Sequence, residues 1–102
     1  MLTQRGSMQM YYLYILTNKS GSVMYIGMTN DLTRRIHEHR MALVDGFTKR
    51  YHVHKLVYVE EYLDPNEAVA RERQLKGWTR MKKNHLVETM NPNWDDLGDD
   101  LF

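Results

Sequence analysis

The sequence predicts an α+β domain whose elements follow one another in the order β-β-α-β-α-α. Three observations carry that expectation. Two short aromatic and aliphatic runs, YLYIL and VMYIG, flank a polar turn at Asn18-Lys19-Ser20-Gly21, the pattern of a hairpin. A third such run, LVYV within residues 55–62, stands well downstream with a helical segment between. Asp64-Pro65-Asn66-Glu67 then reads as a helix start, with an N-cap carboxylate, Pro at N1 and Glu at N3.

Taken in order, residues 11–17 and 22–27 are strands rich in Tyr, Ile, Leu and Val. If Asn18 pairs with Gly21 across a two-residue loop, Tyr14 falls directly opposite Tyr25, with Cβ atoms about 5 Å apart. A helix follows from Asp31 to about Leu43, with Thr29 or Asn30 as its N-cap, and Asp45-Gly46 breaks it. The third strand spans residues 55–62. It cannot extend the hairpin by a tight turn, because a helix intervenes. The second helix runs to about Lys76 and ends at Gly77. Thr79 caps a further helix reaching about Glu88, and Pro92 stops it. Residues 11–94 then form one domain, with a 1–10 extension before it and an acidic tail over 95–102.

A chain of 102 residues suits one modest core, and 42% hydrophobic with 26% charged residues is ordinary globular composition. The absence of cysteine excludes disulfides, thiolate zinc sites and a thiol nucleophile. No apolar run approaches the roughly 18 residues that span a bilayer, and MLTQRGSMQM lacks the apolar centre of a signal peptide. A cytoplasmic location without a membrane partner is the expectation. The net charge of +1 hides an uneven distribution. Residues 30–55 carry a net +3 and four of the five histidines, residues 71–83 carry +5, and the last eleven residues hold four aspartates and no base. Such basic segments are either solvated helix faces or phosphate-binding surfaces.

Five side chains stand out as candidates for chemistry. Tyr14 and Tyr25 are either an aromatic core pair or two adjacent phenols. On the first helix Leu32 and Ile36 define the buried stripe. Arg35 and His39, at i and i+4, flank it, while Arg34, His37 and Glu38 point to solvent. A guanidinium beside the core needs an anion, either a structural acid or a phosphate. Glu72 lies between Ala68 and Leu75 on an apolar face of the second helix. It either pairs with Arg35 or holds a divalent cation. Gly27 closes the second strand and either permits the close approach of another group or serves as a turn glycine. Ionisable phenols, a phosphate clamp and a hard-metal ligand together suit phosphodiester cleavage.

These residues carry a resemblance. Tyr12-Leu13-Tyr14, the intact Tyr25-Ile26-Gly27, Arg35 ten residues after Tyr25, and Glu72 within AVARERQLKGW together resemble the GIY-YIG nuclease superfamily. The likeness covers about residues 11–94. It is greatest to small stand-alone members related to the N-terminal nuclease domain of the excinuclease C subunit. The resemblance implies a three-stranded antiparallel sheet flanked by helices. It implies a divalent-metal-dependent endonuclease with low sequence specificity, acting on DNA in repair or recombination. Glu72 would bind Mg²⁺ or Mn²⁺, Tyr25 would orient or deprotonate the attacking water beside Tyr14, and Arg35 would hold the phosphate oxygen. His39 would hydrogen-bond within the same site. An unperturbed phenol, with a pKa of about 10, is a poor base at neutral pH, so neighbouring cations would have to lower it. Nucleic-acid contacts are expected at Gly27, Arg34, Lys49, Arg50 and Lys76. Lys49 or His52 would serve as the loop residue that some members place near the tyrosines, and Asn91 or Asn93 as the C-terminal asparagine. The first glycine of the family signature is Tyr12 here. With no room for a recognition module, the chain would take its target choice from a separate targeting protein. A non-catalytic nucleic-acid-binding protein on the same scaffold, or an interaction module held by salt bridges, would explain the same charges.

Overall fold

The computed structural model describes residues 9–43 and 46–101. Most of the 1–10 extension and the Asp45 helix break therefore lie outside the described residues. β1 (Tyr11–Thr17) is the centre of a three-stranded antiparallel sheet, between β2 (Met24–Thr29) and β3 (Lys55–Tyr62). Helices cover both faces, so β1 must be apolar at successive positions rather than alternate ones. Leu13, Tyr14, Ile15 and Leu16 are accordingly all 1% exposed or less. On one face Leu13, Ile15, Ile26 and Val57 pack beneath Leu75 of α3 (Pro65–Lys76) and Val87 of α4 (Arg80–Met90). On the other, Tyr14, Leu16 and Leu56 meet Val53 and Ile36 of α1 (Leu32–Arg40).

The hairpin register differs from the expected one by two residues. Tyr14 pairs with Gly27, and Tyr25 with Leu16. The cause is the loop. The Asn18 side chain accepts from Val23 N at 3.0 Å and its backbone N–H bonds Val23 O at 3.3 Å, so Asn18 pairs with Val23 and not with Gly21. Gly21, at φ +79°, turns the chain back and donates to Asn18 O at 3.0 Å. Side chains alternate with period two, so a shift of two keeps both tyrosines on one face as diagonal neighbours.

Caps account for the helix bounds. The N-cap of α1 is Asp31, whose carboxylate accepts from Arg34 N, and not Thr29 or Asn30. Thr29 stays in β2 and takes the Asp31 N–H on its hydroxyl at 3.1 Å. The helix stops at Arg40, short of Leu43. There Ala42, at φ 56°, lets Ala42 N reach His39 O and Leu43 N reach Glu38 O, the paired bonds of a Schellman closure. Asp64 and Thr79 cap α3 and α4 as expected, while α4 extends to Met90 with Asn91 as its C-cap. A short helix that the sequence did not signal, α2 (Gly46–Tyr51), adds one element to the order. Thr48 is its one buried residue, which leaves no apolar periodicity to read.

Two polar clusters fasten the periphery. Glu60 of β3 accepts from the phenols of Tyr58 and Tyr62 at 2.5 and 2.7 Å, and from Arg71 of α3 at 2.9 to 3.3 Å. Burial alone would raise the Glu60 carboxyl, but the bonds from Arg71 and the two phenols outweigh it and hold it below the usual carboxylate range. Burial and the same carboxylate push Tyr62 up to about 12. At the opposite corner the aspartate-rich segment is docked on the sheet. Asp96 accepts from Leu56 N at 3.1 Å, Gly98 N at 2.9 Å and Arg40 at 3.0 Å, and Asp99 also pairs with Arg40. Leu97 and Leu101 of the 3₁₀ turn Leu97–Leu101 then pack against the Tyr14 side of the core.

Two outcomes are expected. Asp96→Ala leaves the Leu56 amide without its acceptor and should lower the urea unfolding free energy by about 2 kcal/mol with an unchanged m-value. The lowered Glu60 carboxyl means that the unfolded chain binds more protons in acid. Its contribution is therefore complete above pH 4.5, the ordinary value, and fades as pH falls through the folded value. Urea midpoints measured downward from pH 6 should fall in that window, and less steeply in Glu60→Gln.

Candidate active site

The site forms where β1, β2, α1 and α3 meet. Tyr14 projects from β1 towards its partner Gly27, and the phenol lies across that glycine. A Cβ built on Gly27 would stand 2.5 Å from the Tyr14 oxygen and 2.6 Å from Cζ. The close approach allowed by this glycine is thus made by Tyr14, and Gly27 itself is buried. The Tyr14 hydroxyl lies 3.1 Å from His39 Nε2, and His39 Nδ1 lies 3.2 Å from the Thr48 hydroxyl, all of it buried. One imidazole nitrogen carries hydrogen and the other accepts, so the relay Tyr14–His39–Thr48 can run in either direction. Burial is the main force raising the Tyr14 phenol well above its ordinary value. Tyr25 and Glu72 add to the rise, and the positive charge of Arg35 opposes it. One phenol is therefore within electrostatic reach of three side chains drawn from three other elements.

Tyr25 is half-buried on β2. Its ring centroid lies 6.4 Å from Tyr14, 5.6 Å from His39 and 6.3 Å from Phe47 of α2. It lines an open cleft of about 270 Å³ along the β2 edge, with Met24, Ile26, Phe47, Lys76 and Lys83. The direct Arg35–Glu72 pair that the sequence left open is not what forms. Arg35 Nε lies 3.3 Å from Glu38 one turn along α1, and Glu72 lies 3.2 Å from Lys76 one turn along α3. Each acid finds its partner at helical spacing, which needs no contact between helices. Glu38 consequently is half-buried and does not point to solvent. The buried Arg35 Nε makes no aligned hydrogen bond, so its contact with Glu38 is one of charge alone. The Glu72 side chain is 22% exposed, neither sealed in the core nor free in bulk water.

The remaining expected residues fall in three places. Lys76 lines the cleft, while Lys49 and Arg50 stand exposed on α2, with Arg50 5.5 Å from the Tyr51 ring centroid. Arg34 is exposed between Asp31 and Glu38, each 3.9 Å away. His52 is exposed at φ 56°, and Asn93 is exposed. Asn91 is buried at the β3 side, opposite the cleft. Its amide is used in full, donating to Val57 O and Asp95 O and accepting from Asp95 N. Sequence reasoning missed Thr48, Phe47 and Lys83. Phe47 and Tyr51, both exposed, form no buried stripe to read, and Thr48 gave no signal.

Among the described residues no three His, Asp or Glu side chains converge as a metal-ligand cluster. The donor set still fits one kind of ion. Mg²⁺ and its like keep most of their water and bind through one or two carboxylates plus substrate phosphate, which asks for an open carboxylate such as Glu72 rather than a protein cage.

A phenol laid over the YIG glycine of an antiparallel hairpin, with an arginine helix and a carboxylate helix beside it, marks a class. The chain belongs to the GIY-YIG family, whose catalytic domain it matches over residues 10–85. This is a nuclease-type domain family. Within it the chain is similar to the small UPF0213 proteins. It is 37% identical over 81 residues to one from Staphylococcus aureus, spanning 79% of this chain and 98% of that one. It is 35% identical over 80 residues to one from Bacillus pumilus, spanning 78% and 81%. The solution NMR structure of a UPF0213 protein from Bacillus halodurans matches with a TM-score of 0.54 at 32% identity, over 85% of this chain and 92% of that one.

Gly27→Ala should cost about 1–3 kcal/mol in urea unfolding, because the added methyl displaces a ring that has no room to move. The same substitution should alter the near-UV circular dichroism of the tyrosines, reporting the displaced Tyr14.

Proposed function

We propose that this protein is a divalent-ion-dependent endonuclease that hydrolyses DNA phosphodiester bonds with low sequence specificity, in repair or recombination. The observation that carries the reading is the convergence on Tyr14. The phenol lies over Gly27, meets His39 Nε2 at 3.1 Å and stands 6.4 Å from the Tyr25 ring, while two lysines flank the adjacent cleft. Glu72 would hold the ion, which when bound supplies positive charge against the scissile phosphate. Arg35, whose side chain is 34% exposed, would hold a non-bridging phosphate oxygen as negative charge grows there.

The two phenols divide their roles by burial. Tyr14, sealed and raised, stays protonated and acts as a neutral hydrogen-bonding post that His39 and Thr48 hold in place. Tyr25 faces the cleft and would orient the attacking water; as the phenolate, its own proton first lost to solvent under the pull of the neighbouring cations, it would take up the water's proton. The water oxygen forms the new bond to phosphorus, the bond from phosphorus to the leaving sugar oxygen breaks, and that oxygen is protonated from solvent. Lys76 and Lys83 would contact the flanking phosphates, giving binding that is directed to the backbone rather than to sequence.

Supercoiled plasmid nicking with Mg²⁺ or Mn²⁺ tests the reading. Wild type should convert plasmid to the open circle. Glu72→Ala and Arg35→Ala should each slow this by about 100-fold or more, with folding retained by circular dichroism, because surface ion pairs such as Glu72–Lys76 add little stability. DNA affinity should fall steeply as salt rises. Salt-sensitive binding without any cleavage by wild type would instead identify a non-catalytic binding protein.

A further inference from the structure

We infer that residues 95–101 form a positioning strap that sets the end of α1, and through it the His39 ring against Tyr14. This deepens the nuclease reading, and its kinetic consequence rests on that reading. The strap lies beyond residues 10–85 of the domain match. It is launched by Asn91, the buried C-cap of α4. The Asn91 amide donates to Val57 O of β3 at 3.1 Å and to Asp95 O at 2.8 Å, and its oxygen accepts from Asp95 N at 3.0 Å. The asparagine that the sequence offered as a site residue thus turns the chain onto β3, where the strap begins.

Asp96 then joins three parts of the molecule. Its Oδ1 accepts from Leu56 N of β3 and from Gly98 N of the strap, and its Oδ2 accepts from Arg40 Nη2 of α1 at 3.0 Å. The same Arg40 nitrogen has a second hydrogen and donates it to Asp99 at 3.0 Å. Arg40 and Asp96 are 26% and 25% exposed, so these charge-assisted bonds are worth more than an ion pair in open water. Gly98 brings the strap up close. A Cβ built on it would stand 2.9 Å from Arg40 Nη2 and 3.3 Å from Ile36 Cγ2. Leu97 and Leu101 pack on the cluster that holds Ile36 and Tyr14. The strap therefore grips α1 at Ile36 and Arg40, three residues before His39 and one after it. Arg40 is the last residue of α1, and helix ends fray. His39 sits in that last turn with its Nε2 3.1 Å from the Tyr14 hydroxyl, so a loose end would carry the imidazole away from the phenol. Asn91, Asp96, Asp99 and Arg40 are positioning residues that act through His39.

The test separates positioning from stability. Nitrogen–proton NMR without divalent ions follows solvent exchange of the His39 ring N–H in wild type, Asp96→Asn, Arg40→Gln, Arg40→Lys and Glu60→Gln. Asp96→Asn keeps an oxygen for the Leu56 and Gly98 amides but loses the charge facing Arg40. Exchange should quicken roughly 10-fold or more in Asp96→Asn and Arg40→Gln, as the loss of a charge-assisted bond permits. Arg40→Lys, which keeps a cation with several donors, should stay within about threefold of wild type. Glu60→Gln removes a comparable ion pair among Tyr58, Tyr62 and Arg71, and should leave His39 unchanged. In plasmid nicking, Asp96→Asn should lower kcat roughly 10-fold with KM within about twofold of wild type. Unchanged His39 exchange in Asp96→Asn, or equal quickening in Glu60→Gln, would overturn the strap. If wild type nicks plasmid while Asp96→Asn alters neither His39 exchange nor kcat, the strap fails and the nuclease reading stands. If Asp96→Asn frees His39 but wild type cuts nothing, the nuclease reading fails and the strap stands as the device that sets the Tyr14–His39 pair.

Discussion

The crossing of the Tyr14 ring over the bare Cα of Gly27 is the contact on which the site depends. It exists because one position in β2 has no Cβ, and any larger residue there would overlap both the phenol oxygen and Cζ. From it the order of assembly follows. The ring, held flat against β2, presents its hydroxyl to His39 on α1. His39 is thereby fixed and presents its second nitrogen to Thr48, which seats α2. Phe47, next in the chain to Thr48, then stacks on Tyr25. A glycine in a strand thus determines the position of a short helix some twenty residues away.

The second constraint is that β1 is buried on both faces. A small domain has few residues to cover so much apolar strand, and this one does so by dividing its helices between the two sides. The division creates a difficulty for a composite site. The phenols and Arg35 belong to one face, whereas α3 lies against the other. β2 being an edge strand removes the difficulty, because α3 can reach past it, and the cleft along that edge is lined from α2, α3 and α4 together. The far edge is closed instead, by Glu60 with Arg71 and by the docked aspartates.

Much of this was legible in the residues, and what was not has physical causes. The strands followed from β-branched and aromatic runs, and the starts of α3 and α4 from Asp64-Pro65 and Thr79, because capping is a local event. The hairpin register was not legible. It turns on whether the Asn18 side chain reaches Val23 or the chain closes sooner at Gly21, and both turns are locally reasonable. The α2 helix was invisible because its stability comes from Thr48 meeting His39, a contact between separate elements. In the site, Tyr14, Tyr25, Arg35 and Glu72 could be picked out by type and spacing. Their actual charge partners could not, since the nearest acids and bases on the same helix prevailed over the distant ones.

The Asn18–Val23 connection has a further consequence for variation in this protein. Because strand residues alternate sides, pairing offsets obey parity. An even slip leaves Tyr25 on the Tyr14 side of the sheet but brings a residue with a Cβ under the Tyr14 ring in place of Gly27. An odd slip carries Tyr25 through the sheet to the side of Leu13 and empties the site of its cleft-facing hydroxyl. A change of loop length that moves the pairing by two residues would keep Tyr25 on its side yet carry Gly27 away from Tyr14, while a single-residue step would in addition turn Ile26 out of the core.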